Sequence, residues 1–336
     1  MDKIKVGING FGRIGRNVFK IMSERPIFEI VGINDITDTK TLAHLLKYDS
    51  TQGKFNGSVN HTDTSIVVNG SEIRISACLN PAEIPWAETP DIVIESTGVF
   101  RSREGKRGGY GDHLKNGAKK VLLTVPAKDK IDRMIVLGVN DDELKETDLC
   151  VSNASCTTNC LAPVVKVLND NFGIENGYMT TVHSYTNDQR ILDQPHGDLR
   201  RARSAAVSQI PTTTGAAIAV GKVIPELNGL LDGISIRVPT PTGSIIDLVA
   251  NLKTAPTKEA INAAMKKASE TTMKGILEYT KDPIVSVDII HDPYSSIFDS
   301  LSTMVMGKTI KVLSWYDNEW GYSNRVVDLA ERLFEF

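Results

Sequence analysis

The sequence predicts an α/β chain of two domains. The first is an N-terminal Rossmann-type doubly wound parallel sheet, and the second an α+β catalytic domain with a large mixed or antiparallel sheet. Three observations lead there. Short apolar runs alternate with helical periodicity through the first half. A turn of sequence Gly10-Phe11-Gly12-Arg13-Ile14-Gly15 follows the first of those runs. Beyond Ser152 the apolar runs lengthen and alternate residue by residue with polar ones. The 336 residues also suit two domains of about 100 to 200 residues each.

Residues 4–8 form an apolar run, Ile14, Val18, Phe19 and Met22 then recur at helical spacing, and residues 30–33 form a second run. This is a βαβ unit, whose parallel strands are joined by a right-handed crossover. Residues 65–68 and 73–76 read as a hairpin about Asn69-Gly70, a dipeptide that accepts the positive φ of a tight turn. Residues 92–95 and 121–124 are further buried strands. After Ser152 a short helix leads into strands at 178–184, 234–238 and 245–252. Amphipathic helices follow through Ile261, Ala264, Met265 and Ala268, and through Val326, Val327, Ala330 and Leu333. The expected dinucleotide-binding domain is 1–155, with a C-terminal helix at 319–336 packing back on it, and the expected catalytic domain is 156–318.

Hydrophobic residues at 41% and charged residues at 24% argue against disorder and coiled coil. A net charge of −3 supplies no basic field for nucleic acid. The first residues lack the basic start and apolar run of a signal peptide, and no stretch of 18 apolar residues occurs. A cytoplasmic location and no membrane partner are expected. Four cysteines, Cys78, Cys150, Cys156 and Cys160, are too few and too clustered to staple this chain. The CxxxC spacing of the last two has no companion ligands, so no metal site is expected.

In the GxGxxG turn, Gly10, Gly12 and Gly15 permit a tight turn and close approach of a pyrophosphate to a helix N-terminus. Asp35 lies about 20 residues beyond Gly15, at the end of the second strand, where a carboxylate accepts hydrogen bonds from an adenosine ribose and repels a 2′-phosphate. NAD is therefore expected in preference to NADP. Cys156 follows a strand and opens a helix, where the dipole and a nearby imidazole would lower its pKa. Cys160, one turn deeper, reads as a buried small hydrophobe. His183 shares a strand face with Thr181 and Tyr185. Alone it reads as structural, but thiol, histidine and dinucleotide fold together are the parts of nucleophilic catalysis on a carbonyl. The Arg-rich stretch 189–209 reads as a solvated loop or a subunit interface. Thr212, Thr213, Thr214 and Gly215 precede an Ala-rich helix and suit an anion. Arg237, among apolar neighbours on a strand, calls for an anionic partner or an outward face.

The runs INGFGRIGR at 8–16, SNASCTTNCLAP at 152–163, HSYTNDQ at 183–189 and SWYDNEWGYS at 314–323 together resemble the phosphorylating glyceraldehyde-3-phosphate dehydrogenases of the bacterial glycolytic type, over nearly the whole chain. The resemblance implies that Cys156 is the nucleophile and His183 the base. It implies a substrate-phosphate site of Thr186 and Arg237, and a site for inorganic phosphate of Ser155, Thr157, Thr214 and Gly215, with Arg201 assisting one of them. On the NAD side it implies Arg13, Ile14 and Asp35, with Thr97 and Gly98 lining the site, Asn318 anchoring the carboxamide and Tyr322 beside the nicotinamide. It also implies a homotetramer acting on glyceraldehyde 3-phosphate and phosphate. Gln194 stands before Pro195 where many relatives carry Leu, in a loop that nears a neighbouring subunit's cofactor, which implies altered discrimination against NADP. Ile218 replaces a common lysine, and the glycine-rich, basic segment 101–110 has no assigned role. Erythrose-4-phosphate dehydrogenase is the nearest enzymatic alternative, but it usually lacks the HSYTNDQ and TTTGAA runs. A non-catalytic dinucleotide-binding regulator would not need Cys156, His183, Arg237 and Asn318 together. A cysteine hydrolase would leave Asp35 and the glycine turn idle.

Overall fold

The computed structural model describes residues 3–335. The first strand, Ile4–Asn9, is buried along almost its whole length, as the interior of a parallel sheet requires. It runs into Gly10, whose φ of +91° is one that side chains oppose. A Cβ at Gly10 would stand 2.7 Å from the Thr97 amide nitrogen, so the turn closes only with glycine. The helix Arg13–Ser23 starts from Gly12, and the strand Phe28–Asn34 returns parallel to the first.

These strands sit near the middle of a nine-stranded sheet. On one side lie Ile92–Glu95, Lys120–Leu123, Cys150–Ser152 and Arg133–Met134, all parallel. On the other, Ser71–Ser76 pairs parallel with Phe28–Asn34, and Ser65–Val68 and Val59–His61 complete an antiparallel edge. The expected hairpin turn is present, with φ of +51° at Asn69 and +83° at Gly70, the signature of a two-residue turn matched to strand twist. The parallel sheet thus ends in a hairpin, because a two-residue link permits only antiparallel return.

The described chain divides into two compact units. One holds residues up to 135, 142–154 and those from 323 on; the other holds 136–141 and 155–322. Within the first unit the C-terminal helical residues are tied down by Arg25, which pairs with Asp328 at 2.6 Å and Glu331 at 3.3 Å.

The second unit is built on a seven-stranded mixed sheet, in the order Ile210–Thr213, Leu231–Val238, Ile174–Ser184, Ser244–Leu252, Thr309–Tyr316, Ser296–Met306 and Leu277–Thr280. The helix Cys156–Phe172 packs on its inner face, burying Cys160, Leu161, Val164 and Leu168 completely. Side chains of this size stabilise by about 1.5–3 kcal/mol each when buried. Strand alternation fixes the two faces. Along Ile174–Ser184, Met179, Thr181 and His183 are buried while Tyr178 is exposed. The strands Ser296–Met306 and Thr309–Tyr316 escaped the sequence reading. In the first of them a register shift between Asp299 and Met304 breaks the alternation on which that reading depends.

Candidate active site

In the first unit the ends of the central strands surround a cavity of about 940 Å³, within the range of small-molecule sites. Gly10, Gly12, Asp35 and Thr97 line it, with the apolar side chains of Ile36, Leu79, Val99 and Phe100. Gly12 has open space where a Cβ would stand, whereas a Cβ on Gly15 would meet the Gly10 carbonyl oxygen at 2.1 Å. One glycine leaves room for a ligand and the other allows close packing of helix on strand. Asp35 is held by the Phe11 amide at 2.7 Å and the Thr37 amide at 2.9 Å. Thr97 is fixed by its amide and hydroxyl, both donating to Glu95 Oε1. The Arg13 side chain turns instead to Asp49, at 2.7 Å, so only the backbone of Arg13 and Ile14 belongs to the helix start. The glycine-rich segment 101–110, without an assigned role so far, supplies Gly105, Lys106, Arg107 and Gly108 to the cavity wall.

In the second unit Cys156 is the first residue of its helix, behind Ser155, whose hydroxyl caps the helix by accepting from the Thr158 amide at 3.1 Å. Its Sγ lies 3.5 Å from His183 Nε2. His183 reaches it because the strand Ile174–Ser184 crosses beneath the helix with Met179, Thr181 and His183 inward. The next strand runs parallel, in a register that sets Arg237 directly beside His183. Arg237 Nη1 approaches His183 Nδ1 at 2.7 Å and donates to the Ser184 carbonyl at 3.1 Å. Thr157 Oγ1 meets the Tyr316 hydroxyl at 2.9 Å, which meets Thr181 Oγ1 at 2.8 Å, and the Tyr316 ring packs edge-on against His183.

The electrostatics depart from the sequence expectation of a lowered thiol pKa. Burial pushes the Cys156 thiol up, against the opposing pull of Arg237 and Thr157. Burial and then the Arg237 charge push His183 down to about 3. The helix terminus is where the sequence puts it, and desolvation opposes its pull on the thiol. Cys160 is fully buried beside Ser296, with its pKa pushed up to about 12 by burial, as suits an inert core thiol. Among the described residues no group of metal-ligating side chains occurs and no helix is long and apolar enough to cross a membrane.

Residues 4–103 match the NAD binding domain of glyceraldehyde 3-phosphate dehydrogenase, and residues 155–318 match its C-terminal domain. The chain is 64% identical over 335 residues to glyceraldehyde-3-phosphate dehydrogenase of Borreliella burgdorferi, spanning 98% of this chain and 99% of that one. It is 57% identical over 330 residues to the enzyme of that name from Geobacillus stearothermophilus, spanning 97% of each. The chain belongs to the glyceraldehyde-3-phosphate dehydrogenase family.

NAD is accordingly the cofactor of this glyceraldehyde-3-phosphate dehydrogenase family member. Its remaining candidate residues are less tightly grouped than Cys156, Thr157, His183 and Arg237. Thr186 follows the histidine strand, its amide donating to Gln189 Oε1 at 3.2 Å. Arg201 is bonded to Asp188, to Thr212 Oγ1 at 2.9 Å and to the Thr213 carbonyl at 3.4 Å, which ties the long loop to the strand Ile210–Thr213. Thr214 accepts from the Ala216 amide at 3.2 Å, and Gly215 opens the helix Ala216–Val223. Asn318 Oδ1 accepts from Ser244 Oγ at 2.8 Å. Tyr322 is buried, and that burial raises its pKa. Gly98 has a φ of +71°. Ile218 is exposed, and nothing in the structure explains its replacement of a lysine. Tyr316, which links Thr157 to Thr181, was missed by sequence reasoning, although it stands in the same SWYDNEWGYS run as Asn318.

Proposed function

We propose that this chain oxidises D-glyceraldehyde 3-phosphate with NAD and captures the acyl group with inorganic phosphate, giving 1,3-bisphosphoglycerate. The observation that carries the reading is Cys156 Sγ 3.5 Å from His183 Nε2 at the start of a helix, in a chain whose first 103 residues include the family's NAD binding domain. The first unit suits a dinucleotide: Gly12 leaves open space, and the helix after it begins with no side-chain cap, where its positive dipole end favours a pyrophosphate. Gly10, Gly12, Gly15, Thr97 and Gly98, with the backbone at Arg13 and Ile14, would hold it, with Asp35 on the adenosine ribose and Asn318 and Tyr322 at the nicotinamide.

Cys156 Sγ bonds to the aldehyde carbon as its proton passes to His183 Nε2. The developing oxyanion is stabilised by the Cys156 amide and the imidazolium N–H. His183 returns the proton to that oxygen, completing a thiohemiacetal, and takes it again as the carbon gives up its hydride. Bound NAD supplies the hydride acceptor. The thioester left on Cys156 is activated enough for phosphate to attack its carbonyl carbon, breaking the S–C bond and returning the thiolate, which recovers the proton from His183. Thr186 and Arg237 would hold the substrate phosphate; Ser155, Thr157, Thr214 and Gly215, with help from Arg201, would hold the attacking one. NADH formation from glyceraldehyde 3-phosphate should require phosphate and accept arsenate in its place. Unchanged turnover with neither present would refute the phosphorolytic step.

Residues 1–155 with 319–336 would form the cofactor domain and 156–318 the substrate domain of a cytoplasmic homotetramer. Four free cysteines suit a reducing compartment. The outer face of the second sheet exposes Tyr178 at 74% and Met304 at 61%, with Ile234 and Val249 on the two strands that flank that of Tyr178, an apolar patch suited to a second copy. Sedimentation at about four chains would support this, and a fully active monomer would refute it.

A further inference from the structure

The basic segment 101–110 is a loop tied down at its base with two cations at its tip. The Arg103 amide donates to Asp129 Oδ2 at 2.6 Å, and the hydroxyl of the fully buried Tyr110 donates to Asp129 Oδ1 at 2.9 Å. The Tyr110 amide closes the loop on the Ser102 carbonyl at 3.0 Å, and the Arg103 side chain pairs with Asp132. Nearer the tip the Gly108 amide donates to the Gly105 carbonyl at 3.1 Å, and Gly108 holds a φ of +100°. Between those two glycines stand Lys106 and Arg107, both exposed and both on the wall of the cofactor cavity.

The charged residues lining that cavity, among those described, are Asp35, Lys106, Arg107 and Asp112. Both carboxylates are occupied. Asp35 accepts from the Phe11 and Thr37 amides, and Asp112 accepts from Lys115 Nζ at 2.7 Å and the Gly109 amide at 2.8 Å. The side chains of Lys106 and Arg107 have no ion-pair or hydrogen-bond partner among the described residues.

The position of the tip decides which part of a dinucleotide these cations meet. A Cβ on Gly108 would stand 2.8 Å from the Pro81 ring and 3.0 Å from Asn80 Oδ1, so the tip abuts the turn at 78–81. That turn is laced to the end of the second strand. Asn34 Oδ1 accepts from the Cys78 amide at 2.8 Å, Asn34 Nδ2 donates to the Cys78 carbonyl at 2.9 Å, and the Asp35 amide donates to the Ser76 carbonyl at 2.9 Å. The cations therefore stand on the Asp35 flank, the adenosine end of the cavity, while the pyrophosphate has the uncapped helix start after Gly12. NAD is uncharged at its adenosine ribose. A group that would use two cations there is a phosphate on that ribose.

We propose that Lys106 and Arg107 form an anion subsite for the 2′-phosphate of NADP, so that this chain transfers its hydride to NADP as well as to NAD. A phosphomonoester carries a charge of about −1.5 to −2 at neutral pH, which Asp35 repels and the two cations attract. The exposed setting makes each attraction weak and sensitive to salt. NAD remains the better cofactor, because its free 2′-hydroxyl can donate to Asp35. The inference rests on the reading of this cavity as the cofactor site.

The test compares the wild type with a Lys106→Ala, Arg107→Ala double variant, both as full chains. Calorimetry with 5′-AMP and 2′,5′-ADP isolates the added phosphate. The ratio of 2′,5′-ADP to 5′-AMP affinity should fall about tenfold in the variant, as the loss of two exposed charge contacts implies, and the difference between the proteins should shrink as salt is raised. The ratio of kcat/KM with NADP to that with NAD should fall by the same factor. Lys106→Gln with Arg107→Gln serves if the alanine pair does not fold, and should show the same fall. Equal losses for both nucleotides would put the cations on the 5′-phosphate that the two share, and would overturn the subsite. A wild type without turnover on NADP would overturn it too. If NAD itself does not bind to the wild type, the cofactor-site reading fails, and the subsite falls with it.

Discussion

Acid should destabilise this protein partly through one residue, His183. Burial and the neighbouring Arg237 charge depress its pKa from 6.5 to about 3, while in the unfolded chain it takes a proton near the ordinary value. Because the folded value lies below the unfolded one, the unfolded state binds more protons between them. Stability is therefore complete above pH 6.5 and falls as pH drops toward 3. Each pH unit in that window is worth about 1.4 kcal/mol, so lowering pH from 6.5 to 4.5 should remove about 3 kcal/mol. Carboxylates elsewhere also titrate, and His183→Asn isolates the histidine because asparagine does not. Urea unfolding of both proteins at pH 7.5 and pH 4.5 is the assay. The stability difference between them should shift by about 3 kcal/mol in favour of the variant at the lower pH. Parallel losses in the two proteins would show that His183 is protonated in the folded state at the same pH as outside it, and would refute the burial argument.

Cys156→Ser should abolish activity, since an alkoxide is inaccessible at neutral pH and an ester lacks the activation of a thioester; His183→Asn should slow hydride transfer by roughly 10² to 10⁴-fold while leaving an alkylatable thiol. Stopped-flow NADH formation paired with alkylation rates separates the two, and wild-type hydride transfer in the asparagine variant would make His183 a structural residue. Asp35→Gly should narrow the preference for NAD over NADP by removing a charge that a 2′-phosphate would meet, and equal catalytic efficiencies in the wild type would sink the idea. Tyr316→Phe deprives the buried hydroxyls of Thr157 and Thr181 of a shared partner. A cost of about 1–3 kcal/mol is expected, read as a lower melting temperature, with no change expected if solvent already satisfies them.

The elements most legible in the sequence were those set by local chemistry. The Gly10 turn is forced by a positive φ and a backbone contact, and the Asn69-Gly70 hairpin by two consecutive positive φ values. The cysteine helix has a serine cap that the motif spells out. Less legible were features decided by desolvation or by distant partners. The Cys156 thiol sits at a helix start, yet burial raises its pKa, and burial depth is not written in a local motif. The Arg13 side chain pairs with Asp49, far along the chain, a partner that no local motif announces. Arg201 likewise serves the loop through Asp188 and Thr212. The strand Ser296–Met306 was hidden because a bulge and the polar residues Asp299, Ser300, Ser302 and Thr303 interrupt its alternation.

The most consequential contact of the candidate site is a matter of strand register. His183 and Arg237 lie 54 residues apart, on strands that no short link could pair in parallel. The long connection between them includes the Arg-rich loop, the strand Ile210–Thr213 and the helix Ala216–Val223, and it brings Leu231–Val238 alongside Ile174–Ser184 in the same direction. Direct pairing of His183 with Arg237 then sends both side chains to the same face. A slip of one residue would turn Arg237 to the opposite face, leaving His183 free to use its ring nitrogens without a guanidinium neighbour. The buried partners of each strand hold that register: Met179 and Thr181 lie inward on one, and Leu231 and Ser235 are buried on the other. The register that packs the second unit is therefore also what sets the Arg237 guanidinium against His183 Nδ1.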